Sequence, residues 1–272
     1  QTLTLDPWRV TLLVVGLSRL RMAEVMDVPE AVWRRQAPWF DAPVVSPVQS
    51  VLLRHPEITV LVDACAAMPP GSPYAIPDAP PGPDLLAQLA AMGVQPGTVD
   101  HVVITHAHFD HLNAALRPDD TAAFPNARYH VGRADTEDAA IAQHLEEACG
   151  APHPLQRLDE QGRLDRHDGP WAIAPGIDVL PAPGESPGHQ IVRLTSGDRT
   201  FYALGDLFHH PIEVERPEWC TWWGDAEAMR ASRRALFQRA AKEQAVLVAS
   251  HIEGFGRLAR RGEGFVWKPV PA

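Results

Sequence analysis

Two β-sheets packed face to face with helices on their outer faces, an α/β (α+β) class, is the fold that this 272-residue sequence predicts. Three observations predict it. Short β-branched runs alternate with helical patterns along the chain. The two halves follow the same order of strands, then a helix, then a strand that ends in a residue able to bind a metal. The composition, 45% apolar and 21% charged, suits one large core, so residues 1–272 are taken as a single domain.

In the first half, the β-branched and apolar runs at 10–15, 50–54, 59–63, 101–105 and 127–131 predict strands. Helices are predicted at 84–92, closed by Gly93 in the position where a helix favours glycine, at 111–116 and at 133–148. Residues 68–83 carry seven prolines and two glycines, too rigid and too poor in N–H donors for a helix or central strand, and predict an ordered surface loop. The polar segment 149–170 reads as a connection between the halves. Strands follow at 177–180, 191–195, 200–204 and 245–249, with a helix at 225–243 that Asp225 would cap. Residues 16–43, with Trp33, Trp39 and Phe40, are expected to form a lid or a dimer arm, which makes a homodimer a possible assembly.

A net charge of −10 argues against a nucleic-acid partner, which needs clustered Lys and Arg. Cys65, Cys149 and Cys220 are scattered, odd in number and form no C-x-x-C pair, which fits a reducing compartment. No apolar stretch approaches the ~20 residues of a membrane span. The expectation is a cytoplasmic protein without a membrane partner, although a start without Met is also compatible with a removed leader.

The chemistry is concentrated in His106-Ala-His108-Phe-Asp110-His111, directly after the run Val102-Val-Ile-Thr105. Two histidines at i and i+2 in extended backbone project to one side and can reach one cation, while Asp110 and His111 are placed to turn toward a second. This density of nitrogen and carboxylate donors suits Zn²⁺ first, with Fe, Mn or Co also possible. A chance cluster of surface histidines is the alternative. Further donors follow: His189 after the turn Gly184-Glu-Ser-Pro-Gly188, Asp206 after the run Phe201-Tyr-Ala-Leu-Gly205, and His251 after Ala245-Val-Leu-Val-Ala-Ser250. His106, Asp206 and His251 each follow the C-terminal end of a predicted buried strand, where sites in α/β architectures gather. The remaining histidines, His55, His101, His130, His144, His153 and His167, show no partner pattern and read as ordinary polar residues.

With these residues in place, the chain resembles the metallo-β-lactamase superfamily, whose pattern is H-x-H-x-D-H, then a loop His, a bridging Asp and a final His. The resemblance spans Val60 to His251 and implies an αββα sandwich of two mixed β-sheets. Carried over position by position, it implies that His106, His108 and His189 hold one divalent metal, that Asp110, His111 and His251 hold the other, and that Asp206 bridges both. Val60-Leu-Val-Asp63 resembles the family's strand ending in an Asp that supports a ligand histidine. Leu204-Gly-Asp-Leu-Phe-His-His-Pro211 and Ser250-His-Ile-Glu-Gly-Phe-Gly256 resemble the lactonase and organophosphate-hydrolase branch. The chain departs from the family in having Leu112-Asn-Ala114 where glycines are frequent, and Ser186-Pro-Gly-His189 where many members have Thr-Pro-Gly-His. Neither change removes a ligand.

Two cations ~3.5–4 Å apart can share a water and bring its pKa from near 16 to about neutral, so a bridging hydroxide is the expected nucleophile. Asp110 is the candidate proton shuttle as well as a ligand. Phe109, His209 and Trp222 are candidate substrate contacts. The expected function is a dinuclear metal hydrolase that opens a lactone or related ester, with N-acyl homoserine lactone a plausible small-molecule substrate by resemblance. A phosphotriesterase acting on organophosphates is the alternative. β-Lactam or thioester hydrolysis, and a non-catalytic binding protein of the same fold, rank behind these.

Overall fold

Val60, Leu61 and Val62 are all buried, although successive side chains of a strand point to opposite faces. A strand buried on both sides needs a packed layer on each, and the rest of the chain supplies them. The computed structural model describes residues 1–78 and 82–271. In chain order its strands and helices are β1 (Thr2–Leu5), β2 (Trp8–Arg21), α1 (Met22–Val25), α2 (Glu30–Gln36), β3 (Pro43–Arg54), β4 (Thr59–Val62), α3 (Leu85–Ala91), β5 (His101–Val103), β6 (Arg128–Gly132), α4 (Arg133–Glu137), α5 (Ala139–Cys149), α6 (Pro154–Glu160) and β7 (Leu164–His167). The second half contributes β8 (Trp171–Ala174), β9 (Ile177–Pro181), β10 (Gln190–Ser196), β11 (Arg199–Ala203), α7 (Ile212–Glu215), α8 (Ala226–Lys242), β12 (Val246–Val248), β13 (Phe255–Arg261) and β14 (Gly264–Val270).

The strands form two seven-stranded sheets, β1 to β7 in sequence order and β14 to β8 in reverse order. Both are mixed: β4, β5, β6 and β7 run parallel, as do β11 and β12, and the other pairs are antiparallel. Val60 and Val62 face Val192, Leu194, Phe201 and Val248 of the other sheet in the central layer. Leu61, Leu52 and Val102 point the other way, onto Leu85, Leu89, Leu145 and Leu158 of α3, α5 and α6. On the far side, Tyr202 and Leu247 pack against Met229, Leu236 and Phe237 of α8. Helix, sheet, sheet, helix is the layering the sequence predicts. No helix among the described residues is long and apolar enough to cross a membrane.

Several local expectations are corrected. The strand expected at 10–15 runs from Trp8 to Arg21, and the one at 50–54 runs from Pro43 to Arg54, paired from Arg9↔Arg54 to Arg21↔Pro43 across a bulge between Val14 and Gly16. Pro43 and Pro47 argue against a strand in sequence, yet both are accommodated in this ladder. No α-helix forms at 111–116: a 3₁₀ turn covers Phe109–His111, and the backbone then turns to Ala64, whose N–H donates to the His111 carbonyl and whose carbonyl accepts from Ala114 N–H. The helix expected at 133–148 breaks at Asp138, whose carboxylate caps α5 by accepting from the amides of Ala140 and Ile141. The connection at 149–170 holds α6 and β7, with α6 started by a reciprocal cap between His153 and Gln156. The proline-rich loop is described as far as Asp78 and again from Gly82, and residues 79–81 lie outside the described residues. Within it, the carbonyl of Tyr74 accepts from Arg19 N–H at 2.8 Å, tying the loop to β2.

His101, His130 and His167 are not isolated polar residues. They line up across β5, β6 and β7, with His101 Nδ1 2.9 Å from His130 Nε2 and His130 Nδ1 2.9 Å from His167 Nε2. Trp171 of the other sheet stacks on His167 at 3.8 Å. Burial holds all three below the usual imidazole range, His130 at about 3, with Asp165 opposing and Arg128 reinforcing the shift at His130. A histidine whose folded pKa is depressed takes up protons more readily unfolded, so its neutral form stabilises the fold above the ordinary pKa of ~6.5 and that contribution fades as pH falls below it. Thermal melts from pH 7.5 to 4.5 should therefore show a steep loss of Tm in the wild type and a shallower one in His130→Leu. Parallel profiles would show that this chain does not set the acid sensitivity.

Candidate metal centre

The donors are positioned by strand ends and then locked by hydrogen bonds. Asp63 follows β4 in a left-handed backbone conformation (φ 60°) that is uncommon for a residue with a side chain. This turns its carboxylate across to β5, where Oδ1 accepts from Thr105 N–H at 2.7 Å. Oδ2 accepts from Thr105 Oγ1 and His111 Nδ1, each at 2.9 Å. His111 is thus held with Nδ1 protonated and Nε2 turned inward. His189 and His251 are oriented the same way, donating through Nδ1 to the carbonyls of Ala182 and Pro47 at 3.0 Å. Such partners are what fix the tautomer and direction of a ligand imidazole.

Two loops meet through a residue that the sequence analysis did not single out. Asp135 on α4 accepts from Ala107 N–H and Ser186 Oγ with Oδ2, at 2.8 and 2.9 Å, and from Gly188 N–H with Oδ1 at 2.5 Å. It ties the His106–His111 loop to the loop that ends at His189. Glycine is required at 205, where φ is 54° and a Cβ would lie 2.7 Å from both His189 Nε2 and Thr105 Oγ1.

The side chains converge on Asp206. Its Oδ2 lies 3.3 Å from the Nε2 atoms of His111, His209 and His251, and 3.8 Å from His106 Nε2. Asp110 Oδ2 lies 3.4 Å from His251 Nε2, and His106 Nε2 lies 2.9 Å from His108 Nδ1. Donor atoms within 4.8 Å of one another form four groups: His106, His108 and Glu185; His106, His111 and Asp206; Asp110, His111 and His251; Glu185, Asp206 and His209. Six of the seven expected ligands fall in these groups. His189 lies beside them, its ring 5.2 Å from that of His106 and its Nε2 accepting from Asp206 N–H at 3.1 Å. Glu185 is a donor that sequence reasoning missed. The available signal was a carboxylate inside an otherwise Gly, Pro and Ser turn, four residues before His189.

The chemistry of this set fits divalent cations. Asp63, Asp110, Asp206 and Glu185 are buried, and their ion pairs among the described residues are all to histidines. Asp206 Oδ1 and His111 Nε2 are buried without a hydrogen-bond partner. Burial alone would strip the proton from His111, but Asp206, Asp63 and Asp110 hold its pKa well above the usual range. His251 is lifted against burial to about 10 by Asp206 and Asp110. Asp110 is drawn down against burial to about 2 by His111 and His251. His106 is held well below its usual range by burial and by the neighbouring His111 and His108, and burial lowers His189 to about 4. The carboxylates are thus arranged to stabilise positive charge where the inward-facing nitrogens meet.

Above the donors opens a cavity of about 580 Å³, lined by apolar groups that include Leu20, Val25, Met68 and Ile141. Phe109, His209 and Trp222, the expected substrate contacts, all line it, Trp222 with two-thirds of its surface exposed. His144 also lines the cavity, beside His108. Leu20 and Val25 come from the 16–43 segment, which packs onto the other half through Phe40 and Trp219 at 5.2 Å between ring centres.

The family model described as the metallo-beta-lactamase superfamily matches residues 43–251. The chain belongs to that superfamily. Its relatives there include a probable metallo-hydrolase of Mycobacterium tuberculosis, 31% identical over 138 residues that make up 45% of this chain and 41% of the relative. Another is an N-acyl homoserine lactonase of Bacillus thuringiensis, 29% identical over 102 residues, 38% of this chain and 35% of the relative. The chain therefore spans less than half the length of these curated relatives. Among solved structures, a hydrolase named AbOPH superposes with a TM-score of 0.80 at 21% identity, over 100% of this chain and 97% of that one. AidC, a dizinc quorum-quenching lactonase solved with the product N-hexanoyl-L-homoserine, superposes at 0.78 with 18% identity over the same shares. These likenesses establish the superfamily sandwich.

Two outcomes follow for metal binding. Asp206→Ala should lose both cations together, read as metal per chain after gel filtration; full metal content in that variant would remove Asp206 from the bridging position. Zn²⁺ added to metal-free protein at pH 7 should release protons, because His111 and His251 hold theirs above that pH and must give them up to bind. Calorimetry in buffers of different ionisation enthalpy measures that release, and affinity should fall as pH drops.

Proposed function

We propose that this protein is a dinuclear metal-dependent hydrolase that opens a lactone or a related ester, with an N-acyl homoserine lactone as the candidate substrate. The observation that carries this reading is the meeting of the donor groups at Asp206 Oδ2, on the floor of an apolar cavity of about 580 Å³. In this reading His106, His108 and His189 hold one cation, Asp110, His111 and His251 hold the other, and Asp206 serves both. Zn²⁺ suits these donors best, with Fe, Mn or Co as further options. When bound, such a pair supplies Lewis acidity and a water made nucleophilic near neutral pH.

The chain's own groups divide the remaining work. Asp63 keeps His111 in the tautomer that presents Nε2 inward. Asp110, a carboxylate of low pKa facing His251, takes a proton at Oδ2 and passes it to the leaving oxygen. His209 lines the cavity and presents Nε2 toward the centre, where it can donate to an oxygen on which negative charge develops. The wall of Leu20, Val25, Met68 and Ile141 gives an acyl chain a place to leave water, each buried methylene contributing about 0.8 kcal/mol. The likeness to lactonases in sequence and in fold supports the same substrate class. Three free cysteines, two of them buried, agree with a cytoplasmic setting.

Hydrolysis by zinc- or cobalt-loaded protein, followed as proton release with a chelated control, tests the reading. Chelator-sensitive opening of a homoserine lactone series is expected, with kcat/KM rising as the acyl chain lengthens. Cleavage of a phosphotriester with idle lactones would replace this reading with organophosphate hydrolysis. Silence on both would reject the two and leave β-lactams and thioesters to be assayed.

A further inference from the structure

Glu185 is a carboxylate of the metal centre for which the ligand assignment above has no use. It sits in the turn before His189 with its side chain fully buried. Oε2 accepts from Thr221 Oγ1 at 2.9 Å and Oε1 from Trp223 Nε1–H at 2.6 Å. Both donors are neutral, and a glutamine carbonyl could satisfy either one. A hydrogen-bonding role therefore accounts for an oxygen at this position but not for a buried negative charge.

The charge has a geometric counterpart. Oε1 lies 3.5 Å from His108 Nδ1 and 3.6 Å from His209 Nε2. His108 Nδ1 lies in turn 2.9 Å from His106 Nε2. Two imidazole nitrogens and a carboxylate oxygen thus face a common point within 4.8 Å of one another. His189, the residue expected to complete this position, has its Nε2 on the Asp206 amide.

We infer that Glu185 is a ligand of the cation held by His106 and His108, adding a carboxylate oxygen to that position. This rests on the metal-centre reading above. It makes the His106–His108 position harder than an all-imidazole one, and so more receptive to Mn²⁺, Fe²⁺ or Co²⁺ alongside Zn²⁺. It also joins metal occupancy to the cavity wall, because the loop bearing Thr221, Trp222 and Trp223 is held by the same carboxylate.

Competitive chelator titrations with Zn²⁺ and Co²⁺ on the wild type, Glu185→Gln and Trp223→Phe test the assignment, with the Co²⁺ visible spectrum as a second readout. Glu185→Gln should bind one of the two ions roughly 10- to 100-fold more weakly, the range expected when a ligand or its support is removed, and should alter the Co²⁺ bands. Trp223→Phe removes the N–H that competes for Oε1 and should keep wild-type affinity. Should Glu185→Gln fail to fold by circular dichroism, Glu185→Asp replaces it, with an intermediate affinity expected. Unchanged affinity and spectrum in the Glu185 variant would overturn the assignment while leaving the centre intact. An equal loss in Trp223→Phe would overturn it too, by tracing the effect to the loop. A wild type that binds neither ion would overturn the metal-centre reading itself.

Discussion

Four carboxylates, those of Asp63, Asp110, Asp206 and Glu185, are buried around one point, with histidines as their ionic partners among the described residues. The idealised cost of taking one such ion out of water is of order 20 kcal/mol, and even the relaxed cost is several per ion. Hydrogen bonds from Thr105, Thr221 and Trp223 reduce this without neutralising it. Two divalent cations would bring four positive charges to four negative ones. Everything else about the centre follows from having to hold like charges together: the left-handed turn at Asp63, the glycine at 205, and backbone carbonyls placed to set each imidazole's tautomer.

The sandwich makes that concentration possible. Each sheet delivers donors from the ends of its own strands: Asp63 and the His106–His111 loop after β4 and β5, and Asp206 and His251 after β11 and β12. Neither sheet carries a full set. The central apolar layer brings the two strand ends together, and Asp135 then ties the loop of one to the loop of the other. A donor set split in this way depends on sheet packing as directly as any core residue does.

Much of this is legible in the sequence, for identifiable reasons. The H-x-H-x-D-H run and the strand-end positions of Asp206 and His251 are local patterns, and local patterns survive in one dimension. Strands buried on both faces read as apolar runs, which is why 59–63, 200–204 and 245–249 mark real strands. Features set by contacts distant in sequence are not legible. Pro47 reads as a strand breaker until its carbonyl is seen to orient His251, 204 residues away. His101, His130 and His167 look unrelated until three parallel strands align them. Helical spacing at 111–116 yields to hydrogen bonds with Ala64. Glu185 is hidden for the same reason: its partners sit at 108, 209, 221 and 223.

Glu185 and Glu213 show how differently one fold can treat two fully buried glutamates. Glu213 accepts from the amides of His209 and His210 at 2.6 and 2.8 Å and pairs with the guanidinium of Arg233, itself wholly buried. Arg233 spends its other donors on the carbonyls of Leu207, Pro217 and Trp219, so this pair is self-contained and fixes the loop that carries His209. The chain thus can place an arginine beside a buried carboxylate in this layer. At Glu185 it places two neutral donors and two imidazoles instead. A permanent cation at Glu185 would occupy the space beside His108 and repel a metal ion from it. Leaving that carboxylate without one keeps the position attractive to an exchangeable cation, and separates the charge that holds the loop from the charge that faces the cavity.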